Sequence, residues 1–163
     1  MRIKIAAVAL LGLAVVVFST LRAQPAACPP QAPSTSSEGA SRSVWDGVYA
    51  KEQAERGQSL YHEQCASCHG DTLAGGEEAP PLAGGQFLAN WNGLTVGDLF
   101  ERIRRSMPQN DPGRLSRQQN ADVLASMLSF NKFPAGKTEL AHDTELLKQI
   151  RIEATKPDPK NDK

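Results

Sequence analysis

Cysteine is scarce: three in 163 residues exclude a disulfide-stapled scaffold. Aromatic residues are scarce too, at 6%, so a compact domain of this size has a thin core of its own unless a bound group supplies apolar surface. No alternating strand pattern competes with helical periodicity, and no stretch repeats another. Neither sign of charge is in excess, with 18 Lys and Arg against 18 Asp and Glu. Loss of Arg2, Lys4 and Arg22 with an N-terminal leader leaves 15 basic against 18 acidic residues, a mild acidity that gives no support for nucleic-acid binding. The apolar run from Ile5 to Phe18 is short for a full membrane span.

What is present is ordered along the chain. Residues 1–23 read as a signal peptide, with Arg2 and Lys4 before the apolar run and a small residue at Ala23. Leu21 is an imperfect cleavage context, so an uncleaved anchor is the alternative. Residues 24–43 are rich in Pro, Ala and Ser, the composition of a disordered linker. Order is expected from Val44 and Trp45. KEQAERGQSLYHEQ reads as a helix whose Gly57 costs about 1 kcal/mol against alanine unless another backbone packs against it. The glycine- and proline-dominated stretch from Asp71 to Asn92 reads as a loop wrapped around something. In TVGDLFERIRRSM, Val96, Leu99, Phe100 and Ile103 share one helical face. After the PQNDPG turn, Ser116 is the expected N-cap of a third helix carrying Val123, Leu124, Met127, Leu128 and Phe130. Beyond Phe133, residues 134–163 form an extension with one short helix over Thr144 to Ile152 and a frayed end.

The chemistry lies in CASCHG, Cys65 to Gly70. A CxxC pair followed directly by His is the attachment signature of c-type haem: two thiols form thioethers to the vinyl groups, and the adjacent imidazole binds iron. A thioredoxin-like motif belongs beside a strand–helix unit, and a structural zinc site needs a further ligand such as a second CxxC. One covalently bound haem c is therefore expected on Cys65, Cys68 and His69.

The candidates for the second axial position are Met107, Met127, His62 and His142. Pro108 stops the helix and lets Met107 approach iron from a loop. Met127 sits in an apolar helical face and reads as core. His62 lies too close to the attachment segment to reach the other haem face, and His142 falls in a polar segment. With His69 and Met107 both bound, iron has no easy site for substrate, and the neutral thioether favours the ferrous state, an arrangement for electron transfer.

From about Val44 to Phe133 these motifs resemble a class I cytochrome c domain of the bacterial exported type. The resemblance implies an all-α cytochrome c fold, three core helices around one covalently attached haem. It implies Gly57 and Tyr61 meeting Leu124 and Met127, Pro80 accepting a hydrogen bond from the proximal His69, Leu82 packing on the haem face and Trp91 beside the propionates. The closing FPAG is similar to small cytochromes that partner quinoprotein dehydrogenases. The function expected is one-electron carriage between exported or membrane redox proteins, in the periplasm, with no catalytic residue of its own. Redox partners then include a quinoprotein dehydrogenase or a terminal oxidase, and the N-terminus or Cys28, if lipidated, supplies a membrane tether. The alternatives are a fixed subunit of a dehydrogenase or other respiratory complex, and a haem peroxidase or gas-binding protein with an open iron site. Arg102, Arg104, Arg105, Arg114 and Arg117 crowd the sequence around Met107, either as a solvated face or as a positive rim that steers an acidic partner.

Overall fold

Two of the three long helices form where apolar spacing and a start signal coincide. The computed structural model describes residues 42–77 and 79–158, which lie within the second, Ser37–Lys163, of the two units into which the chain divides. The helices are α1 (Lys51–Gln64), α2 (Ala66–His69), α3 (Gly84–Trp91), α4 (Val96–Ser106), α5 (Arg117–Phe130) and α6 (Thr144–Leu147), with short strands β1 (Arg42–Ser43) and β2 (Ile150–Arg151). The leader 1–23, the linker up to residue 41, Cys28 and residues 159–163 fall outside the described residues.

Reciprocal caps start two of the long helices. Thr95 Oγ1 accepts from Asp98 N–H at 3.1 Å while Asp98 Oδ2 accepts from Thr95 N–H at 3.0 Å. The expected Ser116 does the same for α5, accepting from Gln119 N–H at 3.2 Å while Gln119 Oε1 accepts from Ser116 N–H at 2.9 Å. Satisfying these otherwise unpaired donors is worth about 1 kcal/mol per cap.

The costly glycine is explained by a helix crossing. A β-carbon built on Gly57 overlaps the carbonyl of Asp122 and stands 3.0 Å from Val123 N, so α1 and α5 touch backbone to backbone. The touching residues are Asp122 and Val123, two and one residues before the Leu124 implied by resemblance. Leu124 and Met127 are nevertheless buried in the same core as Tyr61, whose hydroxyl donates to Gly70 O at 2.7 Å.

Two stretches differ from expectation, besides Arg42 and Ser43, which the sequence places in the linker and the structure in β1. The loop read over Asp71 to Asn92 contains α3, because Phe87 is buried and Leu88 and Trp91 pack half-buried beside it; the flanking glycines and prolines mask that apolar face. The helix expected over Thr144 to Ile152 ends at Leu147, after which Ile150 and Ile152 are buried on either side of exposed Arg151. That period of two belongs to a strand, and β2 pairs in parallel with β1, Arg42 opposite Ile150 and Ser43 opposite Arg151.

The residues after Phe133 help to build the core. Leu140, Leu147, Ile150 and Ile152 are buried with the helices. Fully buried Gln53 in α1 holds the Leu140 backbone at both ends, Nε2 donating to its carbonyl at 3.0 Å and Oε1 accepting from its N–H at 2.6 Å. Further along, Ile152 N–H donates to Leu94 O and Gly93 N–H donates to Ile152 O, both at 2.8 Å.

Candidate functional site

The attachment segment is a tight continuation of α1. Cys65 N–H still donates to Tyr61 O at 2.8 Å, and the single turn of α2 closes with His69 N–H donating to Cys65 O at 3.0 Å. Cys65 is half-buried, Cys68 exposed and His69 buried. All three line one cavity of about 890 Å³, and so do Pro80, Leu82, Trp91 and Met107. Each residue singled out from the sequence as a haem contact thus borders the same hollow. Leu99 and Ile103 of α4 and Val123 and Met127 of α5 line it too, so Met127 is both core and cavity wall.

A chain of backbone contacts holds the histidine side. His69 Nδ1 is 2.9 Å from Pro80 O; a carbonyl only accepts, so Nδ1 carries the proton and Nε2 keeps a free lone pair. The Pro80 segment is seated on Gly75, whose φ of +73° and close approach to Ala79, Pro80 and Pro81 leave no room for a β-carbon. Leu82 N–H donates to Leu73 O at 2.8 Å. Asn131, just after α5, completes the seat: Nδ2 donates to Leu82 O at 3.0 Å and to Met127 O at 2.8 Å, and Oδ1 accepts from Gly84 N–H at 3.1 Å. Sequence reasoning missed Asn131. An amide at a helix end suggests a cap, but nothing local reveals that it reaches 49 residues back to Leu82.

On the methionine side α4 ends as Pro108 requires. Met107 N–H makes the last helical bond, to Ile103 O at 2.8 Å, and its own backbone is extended, with φ −127° and ψ 150°. Met107 is half-buried and Pro108 buried. The rejected histidines sit apart from this hollow: exposed His62 pairs with Asp71 at 3.2 Å, and exposed His142 offers its carbonyl to Arg117 Nε at 2.8 Å.

Residues 52–125, a little under half of the chain, match the family described as cytochrome c oxidase, cbb3-type, subunit III. Over these residues the chain is similar to a c-type cytochrome domain. No curated protein matches the chain. Among solved structures, a chain of the sulfane dehydrogenase SoxCD from Paracoccus pantotrophus is similar over 73% of this chain and 68% of that chain, with 24% identity and a TM-score of 0.47.

The hollow suits a covalently bound haem c. Its volume is near the upper end of the roughly 300–1,000 Å³ of ligand cavities. Aliphatic side chains and prolines line much of it, two unpaired thiols border it, and the one buried imidazole has its far nitrogen already committed. Before attachment, burial and then the neighbouring Cys68 push the Cys65 thiol up to about 11, so it stays protonated at neutral pH.

The five arginines near Met107 are not equivalent. Glu101 accepts from Arg104 Nη2 and Arg105 Nε, both at 2.8 Å, and Arg117 Nη1 stands 3.8 Å away. The Arg104 contact first, then the Thr144 hydroxyl, hold the Glu101 carboxyl down at about 2. Among the described residues no carboxylate pairs with Arg102 or Arg114, and both border the cavity. Of the five arginines, these two border the cavity, with Glu63 beside them on its border.

Proposed function

We propose that this chain is a c-type cytochrome that carries one electron at a time between redox proteins, with His69 Nε2 and the Met107 thioether as axial ligands of a single haem c held by Cys65 and Cys68. The observation that carries this reading is the convergence of Cys65, Cys68, His69 and Met107 on one cavity, with His69 Nδ1 already committed to Pro80. When bound, the haem stores and releases the electron. Pro80 fixes the ring and strengthens the imidazole as a donor. Met107 would offer a bound iron a soft, neutral sulfur, which would favour the reduced state and leave no easy site for substrate. Leu82, Leu99, Ile103 and Val123 keep water from the ring, while Trp91, Arg102 and Arg114 bring polar or cationic groups to the cavity border.

The leader supports export to the periplasm, and the linker supports a tether of the domain to a membrane face through the N-terminus or Cys28. A quinoprotein dehydrogenase and a terminal oxidase are the proposed redox partners. The matched family's description, an oxidase subunit, favours a second reading as a fixed subunit of a respiratory complex; co-purification with larger chains under native extraction supports it, and recovery as a free monomer opposes it.

The test is an absorption spectrum of the haem-loaded protein, including the weak near-infrared band of a methionine-to-ferric-iron bond, with Met107→Ala beside it. The band is expected in the natural protein and absent from the variant. A natural protein that lacks the band and binds carbon monoxide readily refutes the carrier reading in favour of an open iron site.

A further inference from the structure

We infer that the extension beyond Phe133 ties together the two ends of the loop that carries Met107, and that Thr144 is the positioning residue that does so; this rests on the reading of Met107 as an axial ligand. The loop runs from Met107 at the end of α4 to Ser116 at the start of α5. Its two bases are Glu101, less than two turns before Met107, and Arg117, the first residue of α5. Between themselves these two make only a long contact of 3.8 Å. Thr144 stands between them and makes both bonds short, its hydroxyl donating to Glu101 Oε1 at 2.7 Å and accepting from Arg117 Nη2 at 2.7 Å.

The same extension grips Arg117 again, since His142 O accepts from Arg117 Nε at 2.8 Å. The guanidinium also lies 5.0 Å over the ring of Phe100, which is fully buried in α4. Behind the hydroxyl, α6 is pressed against α4: a β-carbon on Gly97 stands 2.7 Å from Lys148 N and 3.0 Å from Thr144 O. The carboxylate, hydroxyl and guanidinium thus form one line across the foot of the loop. Within the loop itself the backbone bonds are few, Asp111 N–H to Pro108 O at 3.0 Å and Arg114 N–H to Asp111 O at 3.4 Å. A loop with so few bonds of its own depends on how firmly its ends are fixed.

The experiment uses the full haem-loaded chain and the variants Thr144→Val, which keeps the shape and loses both bonds, Thr144→Ser, which keeps the hydroxyl, and Tyr49→Phe. The last removes a buried bond to Phe133 O elsewhere in the fold and reports general destabilisation. Two readouts are followed: replacement of Met107 by added imidazole in the ferric protein, and hydrogen exchange at the Asp111 and Arg114 amides. Losing the bridge in Thr144→Val is expected to speed both by about three- to tenfold, with Thr144→Ser near the natural protein and Tyr49→Phe unchanged. Equal behaviour of Thr144→Val and the natural protein overturns the inference, and so does equal acceleration by Tyr49→Phe. If the natural protein shows no methionine band, the ligation reading fails by itself; exchange at Asp111 and Arg114 then decides whether Thr144 ties the loop.

Discussion

Gly57→Ala is the substitution with the largest gap between what local propensity and the fold demand. Alanine in mid-helix gains about 1 kcal/mol over glycine. Here the added methyl runs into the Asp122 carbonyl and stands 3.0 Å from Val123 N, and both neighbours are backbone, so no side chain can swing away. Relief requires α1 and α5 to part by more than about an ångström, a gap that forfeits about half or more of the attraction between atoms across it. Overpacking of this kind costs about 3 kcal/mol, leaving a net loss of about 2 kcal/mol. With a urea slope of about 2 kcal/mol per molar, the unfolding midpoint falls by about 1 M. The assay is urea unfolding of the haem-loaded protein followed by far-ultraviolet circular dichroism, with Gly85→Ala as the counterpart. Gly85 is also helical, its φ is not positive and a β-carbon there meets nothing within 4 Å, so that change is expected to stabilise by about 0.5–1 kcal/mol. A Gly57→Ala protein as stable as the natural one refutes the backbone contact and the crossing built on it.

Three further outcomes are expected. Gln53→Leu leaves the Leu140 N–H and C=O buried without partners and is expected to cost about 2–4 kcal/mol in urea unfolding; a loss below 1 kcal/mol contradicts the buried clasp. Because the Glu101 carboxyl is held at about 2 against an ordinary 4.5, its contribution is full above pH 4.5 and is lost as pH falls towards 2. Acid unfolding of Glu101→Gln should lack that part of the pH dependence, and an unchanged profile refutes the assignment. Asn131→Ala removes the acceptor of Gly84 N–H; that amide is expected to exchange several-fold faster while Leu82 N–H, bonded to Leu73 O, changes less, and equal effects on both amides contradict a local seat.

The readable parts of this molecule were those whose cause is local. CASCHG announces its chemistry because thioether attachment needs two thiols and an imidazole at fixed spacing, and Ser116 announces a helix start because its bond reaches only three residues. Gly57 was legible as a conflict, a poor helix former within a helix, although not its partner Asp122. The α3 face escaped because Phe87, Leu88 and Trp91 are diluted by glycine and proline, signals that ordinarily mean a turn. Gln53, Asn131 and Thr144 escaped for another reason. Their partners lie 87, 49 and 43 residues away, and a polar side chain that bonds at long range looks in sequence like any surface residue. The arginines were counted as charges, whereas the fold seats Glu101 among three of them.

The parallel pairing of β1 with β2 makes the described chain a closed ring: its first strand and nearly its last lie side by side, Arg42 against Ile150. Neither end can fray alone, since peeling one frees the other. A pull between the incoming chain at Arg42 and the outgoing chain at Arg151 acts along the ladder in opposite senses, loading its bonds in shear. A short peptide joining these neighbouring ends, with the chain opened instead at an exposed bend such as Lys137, is expected to give a permuted protein with the same cavity.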